Sequence, residues 1–299
     1  MAFINIWSFI NRKLHYSIAL PIKNLFLKWK KQKFLHKTND GLSFIINPKD
    51  YISRFIYLHG IYEREFLKFL KTNLLKKTLM LDIGANIGNH SIYLSSHFDK
   101  VIAFEPNPTA YKMLEEHLEI NCINNVDLHK VGLGHKDAKQ QFIENTSDNL
   151  GNSGFSASNS ELIGSAQKLQ VKKGDDYIGN LSLDEINYIK IDVEGMEREV
   201  LLGLKETIAA HKPLISFEFD GRLKSQADLE DIMSCLPGYE LFAPQYWLVS
   251  HWTFKEKIKY VYQFGTSPML HKIARAEAKL YNNLLAIPDR RIFRNVAYK

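Results

Sequence analysis

Short apolar blocks, each followed by a stretch with helical spacing, recur through the middle of the chain. "LMLDI" (79–83) reads as a strand and "GNHSIYLSSHF" (88–98) as a helix. "KVIAFE" (100–105) reads as the next strand and "PTAYKMLEEHLEINC" (108–122) as a helix with Leu114, Leu118 and Cys122 on one side. "NVDLHKVGL" (125–133) is a third strand. "INYIKIDV" (186–193) is a buried strand, with "GMEREVLLGLKETIAAH" (195–211) as its helix. "PLISFEF" (213–219) is another strand, "SQADLEDIMSCL" (225–236) a helix, and "YELFA" (239–243) with "YWLVS" (246–250) closes as a hairpin. Upstream, "HGIYEREFLKFLKTNLLK" (59–76) reads as one helix leading into the first of these strands. Between the third and fourth strands lies 136–170, polar and rich in Ser, Asn and Gly, which reads as a long loop or a small strand insertion.

Near-continuous apolar strands alternating with helices imply a parallel sheet covered on both faces. Ligands of such sheets bind at the carboxyl ends of the strands. The two ends of the chain differ from this middle. Phe3, Trp7, Ile10 and Leu14 share one helical face, Pro21 interrupts the pattern, and "KNLFLKWKKQKFLHK" sets Phe26, Trp29 and Phe34 among lysines. The stretch 254–299 reads as helical, with Leu270, Ile273, Leu280 and Leu284 as its apolar positions.

With 299 residues, 45% hydrophobic and 24% charged, the chain has the make-up of a globular protein with a sizeable core. The net charge of +6 is unevenly spread. Residues 1–39 carry eight Lys or Arg and no acid, and 254–299 carry ten basic and three acidic side chains. Residues 40–253 carry 21 basic and 30 acidic. Three regions follow: a basic amphipathic extension (1–44), a central domain (45–250) and a basic helical extension (251–299). The N-terminal segment suits the surface of an anionic membrane, and equally a solvated helix packed on the domain. Nucleic acid is disfavoured because the central domain is acidic. Cys122 and Cys235 lack metal-ligand spacing, no apolar run is long enough to span a bilayer, and Arg12 and Lys13 interrupt any signal-like stretch. A cytoplasmic protein, at most peripheral on the inner face of a membrane, is expected.

The turn "DIGANIGN" narrows the ligand. It lacks the Gly-Lys-Ser/Thr ending of a phosphate loop and the middle glycine of a dinucleotide fingerprint. What remains is Asp82 followed by Gly84 and Gly88, where backbone can approach a ligand closely. An acid there favours a cationic group over phosphates. Glu105, 23 residues after Asp82 and at the end of the next strand, suits a ribose diol. A ribose and a cation without phosphate describe S-adenosylmethionine.

"LDIGANIGNHSIYLS" (81–95), "VIAFEPNPTAYKMLEEHLEIN" (101–121) and "IKIDVEGMEREVLLGL" (189–204), together with "GIYEREFLKFL" (60–70), "NVDLHKVGLG" (125–134) and "PLISFEF" (213–219), resemble the FkbM family of S-adenosylmethionine-dependent methyltransferases. The resemblance covers about 45–240. It implies an α/β fold of the class I methyltransferase (Rossmann-like) type: a doubly wound, mostly parallel, seven-stranded sheet whose last strand is antiparallel. It also implies methyl transfer to a hydroxyl of a sugar, glycan or glycolipid, or to a small secondary metabolite; the alternative from a different class is a non-catalytic S-adenosylmethionine-binding or membrane-associated protein, against which the intact glycine turn and Asp192 with Glu194 argue. It places Asp82, Gly84, Ala85, Asn86, Gly88 and Asn89 around the methionine end of the cofactor, and Glu105 on the ribose flanked by Pro106 and Asn107. Val131 and Gly132 fall near adenine.

A hydroxyl acceptor must lose a proton as the methyl arrives. Asp192 and Glu194, crowded in "KIDVEGMERE" at the end of a buried strand, are the first candidates for base and positioning group, and Glu218 is the third. Asp192 alternatively supports the cofactor alone. Glu197 and Glu199 suit the positive end of the following helix. Asp192 and Glu218 also offer a Mg²⁺ site, which is not favoured. Glu63 reaches the pocket or is a solvated helix acid, and His90 and His135 read as structural.

Overall fold

The strand Leu79–Ile83 is buried on both faces, and an eight-stranded sheet is built outward from it. The computed structural model describes residues 19–145, 154–155, 164–245 and 268–299. In chain order, helix α1 (Leu20–Trp29) precedes a hairpin of β1 (Phe34–Lys37) and β2 (Ser43–Ile46), then α2 (Tyr51–His59) and α3 (Arg64–Asn73). The doubly wound unit follows: β3 (Leu79–Ile83), α4 (Asn89–Ser95), β4 (Lys100–Phe104), α5 (Pro108–Ile120) and β5 (Val126–His129). A four-stranded insertion holds β6 (Gly132–Gly134), β7 (Ala138–Asn145), β8 (Gly154–Phe155) and β9 (Gly164–Lys173). Then come α6 (Gly174–Gly179), β10 (Tyr188–Ile191), α7 (Glu197–Gly203), α8 (Lys205–His211), β11 (Leu214–Asp220), α9 (Gln226–Ser234), β12 (Glu240–Gln245), β13 (Met269–Lys272) and β14 (Leu280–Ile287).

The main sheet runs β13-β12-β14-β11-β10-β3-β4-β5. From β11 to β5 every pair is parallel, and β14 enters antiparallel between β11 and β12. This is the class I methyltransferase fold, with eight strands instead of the expected seven; β13 is added at the edge beside β12. One face packs Met80, Val101, Tyr188 and Leu285 under α3, α4 and α5. The other packs Leu81, Ile102, Ile189 and Phe217 against the helices that follow β10 and β11.

The helical reading of the C-terminal stretch is corrected over 269–272 and 280–287, which are strands. Leu284 and Ala286 join one core cluster while Leu285 and Ile287 join the other, the period-two alternation of a strand between two neighbours. The helical spacing of Leu270, Ile273, Leu280 and Leu284 was a coincidence that sheet pairing overrides. The single helix expected over 59–76 is broken at 60–63, where Gly60 (φ 86°) and Glu63 (φ 53°) leave helical geometry. The third strand divides into β5 and β6, which belong to different sheets. The small strand insertion foreseen within 136–170 is present.

The 44/45 boundary falls inside β2, because the hairpin is tied to the central domain. His117 accepts the Ile45 N–H at Nε2 (2.9 Å), and its Nδ1 reaches the Ile87 carbonyl (2.8 Å). Asn121 closes a reciprocal pair with the backbone of Ser43. The amphipathic stretch around Phe3–Leu14, the "YWLVS" arm and the remainder of 251–267 lie outside the described residues. Among the described residues, no helix is long and apolar enough to cross a membrane.

Candidate active site

Close packing beneath the glycine bend dictates its sequence. Gly84 has φ 82°, and a Cβ there would sit 1.8 Å from the Asp192 carbonyl oxygen, so β10 can approach β3 only if residue 84 has no side chain. Gly88 has φ 88°, and its Cβ would lie 2.1 Å from Leu114 on α5. Gly84 and Ala85 both donate to the Phe104 carbonyl, drawing the bend over the end of β4.

Glu105 follows Phe104 and points into that bend. Its Oε2 accepts the Asn86 N–H at 2.7 Å, and its Oε1 accepts the Asn107 N–H at 2.8 Å. The side chain is buried, and burial pushes its pKa up to about 7 against the pull of those two N–H groups. Asn107 caps α5 by accepting from Thr109 and Ala110, with Pro108 in the first turn. Half-buried Pro106 joins the two. The His129 carbonyl accepts from both Glu105 and Val131, which brings buried Val131 and Gly132 to the same edge.

A buried ion stripe runs beside the bend. Asp82, Lys190 and Ser216 are in register on one face. Ser91 donates to Asp82 Oδ2 at 2.6 Å. Lys190 Nζ lies 3.6 Å from Asp82 Oδ1 and 3.1 Å from Asp192 Oδ2. Burial opposes the Lys190 charge, but Asp192 and Asp82 outweigh it and its pKa is raised. Burial likewise opposes the Asp192 charge; Lys190 prevails by charge and hydrogen bond, and holds that carboxyl below its ordinary range. Sequence reasoning passed over Lys190. The available signal was a charged residue inside the otherwise apolar "YIKI".

The remaining acids separate by environment. Glu218 is half-buried beside a register shift in the β11–β14 ladder. Burial, then Asp192, Glu197 and Glu63, push its pKa up to about 7. Glu194 has φ 51° and an exposed surface. Desolvation on its crowded side, then Asp192 and Glu218, push it up to about 8, although water at its exposed edge screens part of the repulsion. Glu197 is buried, accepts from the Gly195 N–H at 2.9 Å and pairs with Lys224 at 2.7 Å. Glu199 pairs with His135 and Arg198. Both open α7, as expected of acids at a helix start.

Glu63 is no solvated helix acid: its carboxylate takes Asn283 Nδ2 at 2.7 Å and faces His90 Nε2 at 3.1 Å. Asn89, expected at the cofactor, has its amide engaged on both sides by the backbone of Tyr62, at 2.9 and 3.0 Å. Tyr62 was missed in the sequence. Its phenol pKa is raised by burial, then by Glu63, Asp192 and Glu218.

A cavity of about 1010 Å³ opens at the same carboxyl edge, on the β11–β14–β12–β13 side. Glu63, Phe55, Arg64, His271, Tyr281 and Asn283 are among its lining residues; the glycine bend and Glu105 are not. Glu63 and its partner Asn283 both line the cavity, and Glu63 also contacts His90 on the helix that follows the bend. Among the described residues, no three His, Cys, Asp or Glu side chains are grouped to hold a metal ion.

The donor set fits an adenosyl sulfonium. Glu105 retains free lone pairs beside the bend, the buried Asn86 Oδ1 has no protein partner, and acids surround the adjoining edge. The fold and this edge define a class I methyltransferase domain. The methyltransferase FkbM domain model matches residues 82–241, and the chain belongs to that family. It is 26% identical over 147 residues to Methyltransferase 1 of Beauveria bassiana, a match covering 43% of this chain and 59% of that protein. It is 26% identical to the hexuronic acid methyltransferase AglP of Haloferax volcanii, covering 55% of this chain and 65% of AglP. It is 25% identical to the 2-O-methyltransferase NoeI of Sinorhizobium fredii, covering 55% of this chain and 73% of NoeI. The chain thus spans less than two thirds of Methyltransferase 1 and of AglP.

Proposed function

We propose that this chain transfers the methyl group of S-adenosylmethionine to a hydroxyl of a sugar, glycan or glycolipid. The observation that carries the reading is the buried Glu105 carboxylate accepting the Asn86 N–H from inside the glycine bend. Glu105 would hold the ribose diol, while Gly84, Ala85, Asn86 and Gly88 would border the methionine end and Val131 with Gly132 the adenine. S-adenosylmethionine supplies, when bound, a methyl group on a positively charged sulfur, already a good electrophile. The protein must then align the acceptor and take its proton.

Glu218 suits the base, since a carboxyl titrating at about 7 works near neutrality. Glu194 is the second candidate. Asp192, held ionised by Lys190, is better suited to orient cofactor and acceptor than to take a proton. Asn89 supports the bend through Tyr62. The reacting hydroxyl would lie beside Glu218 and Glu194, and the cavity lined by Glu63, which contains neither carboxyl, would take an outlying part of the acceptor; its mix of aromatic, amide and charged walls suits a sugar. The sugar named for AglP supports that class, and the oxygen named for NoeI supports O-methylation.

Isothermal calorimetry with S-adenosylmethionine on the intact chain and on Glu105→Ala tests the cofactor reading. Binding by the parent and at least about tenfold weaker binding by the folded variant is expected; equal affinity would refute it. Mass spectrometry of glycans from cells with and without the protein tests the acceptor, and a methyl group lost with the protein is expected.

A further inference from the structure

Helix α1 has two apolar faces, and among the described residues only one is covered. On the inner face Leu27 is buried, Leu20 packs beside it, and Lys23 Nζ donates to the Tyr57 carbonyl at 2.9 Å. On the opposite face Ile22, Leu25, Phe26 and Trp29 recur at i, i+3, i+4 and i+7. They are 63%, 57%, 43% and 80% exposed. Leu35, on β1, adds another side chain 62% exposed. Half of the ten large apolar side chains exposed among the described residues therefore lie within 22–35. The stripe is braced from below, with Phe26 edge-on to Phe34 at 5.4 Å and 5.9 Å from Tyr57.

Charge selects the partner. Lys28, Lys31 and Lys33 are exposed beside the stripe, and residues 1–39 contain no acid, whereas 40–253 carry an excess of acids. Apolar and indole side chains bordered by lysines, with no carboxylate to repel phosphate, are the requirements of an interfacial helix on anionic lipid. We propose that α1 lies on an anionic bilayer surface, with Ile22, Leu25 and Trp29 entering the acyl boundary and Lys28, Lys31 and Lys33 meeting the headgroups. Helix α2 lies between this surface and the large cavity: Tyr57 touches α1, while Phe55 and His59 line the cavity. Docking would hold the cavity at a fixed distance from the bilayer. The proposal goes beyond methyl transfer and does not depend on it.

Vesicle sedimentation of the full chain tests it, with phosphatidylcholine alone against phosphatidylcholine mixed with phosphatidylglycerol. Pelleting with the anionic vesicles only, weakening as salt rises, is expected. The triple variant Ile22→Asn/Leu25→Asn/Trp29→Ser and the charge variant Lys28→Gln/Lys31→Gln/Lys33→Gln should each partition at least about tenfold less. Unchanged circular dichroism would show that both still fold. Anionic vesicles should also blue-shift the tryptophan emission of the parent, and less so that of Trp29→Phe. A parent that does not pellet, equal pelleting with neutral vesicles, or a triple variant that pellets like the parent would each overturn the proposal. So would loss of self-association in the triple variant without any vesicle binding by the parent, since the face would then be a contact between copies.

Discussion

At the scale of single residues, the candidate site is a set of carboxyls separated by their surroundings. Glu218 and Asp192 end neighbouring strands, yet Lys190 holds one below its ordinary range while burial and repulsion lift the other to about 7. With Glu218 as the proposed base, turnover should rise as pH climbs through about 7, as its proton leaves. Glu218→Gln should lower kcat by about 100-fold or more with S-adenosylmethionine affinity retained, read by turnover and calorimetry together. Glu105 makes a separate prediction about stability. Its folded pKa is raised from 4.5 to about 7, so the native state binds the extra proton between those values. Its contribution is therefore present at low pH and lost as pH rises through that window, by about 3 kcal/mol in all. Glu105→Gln should flatten that part of the urea-stability profile.

Lys190→Met would leave Asp82 and Asp192 without their shared cation. A loss of about 3–5 kcal/mol in denaturant unfolding is expected, smaller when Asp192→Asn is added. The acids at this edge were legible in the sequence because each ends an apolar strand. The order among them was not, since a pKa depends on neighbours distant along the chain. Lys190 carried a faint signal. Tyr62 carried none, since only the break at 60–63 brings it beside Asn89 and the acids.

Among elements, the junction of β3, β10 and α4 is the most constrained. The carbonyl of Asp192 occupies the space a side chain at Gly84 would need. Gly84→Ala should destabilise the fold by on the order of 3 kcal/mol and reduce cofactor affinity along with it, measured by thermal unfolding and calorimetry. The glycines themselves could be read from sequence as a tight turn, whereas the atom that forbids a side chain comes from Asp192, just past β10 and more than a hundred residues further on. The same separation explains the misread C-terminal stretch. Residues 280–287 have apolar positions compatible with a helix or a strand, and the open edges of β11 and β12 settle the matter.

The whole molecule depends on both ends of the chain. β14 fills the place between β11 and β12, so a chain ending at Gln245 would expose the edge of β11 and leave Leu284 and Leu285 missing from the two core clusters. Such a truncation should be insoluble or unfolded, as read by expression and circular dichroism. Towards the other end, His117 links the β1–β2 hairpin to Ile87 in the glycine bend. The hairpin is thereby tied to the glycine bend.

The alternation of apolar blocks and helical spacings, the glycine bend and the carboxylate on the next strand depend on residues close in the chain. The sequence alone therefore determined the parallel α/β core and the glycine bend with its neighbouring carboxylate. Which carboxyl titrates near neutrality, which residues face the large cavity and which strand closes the sheet all depend on groups far apart in the chain meeting in space, as Glu63 meets His90 and Asn283 27 and 220 positions away. Only the tertiary structure decided those, because burial, Coulomb interaction and strand pairing act through distance in space and not through order in the chain.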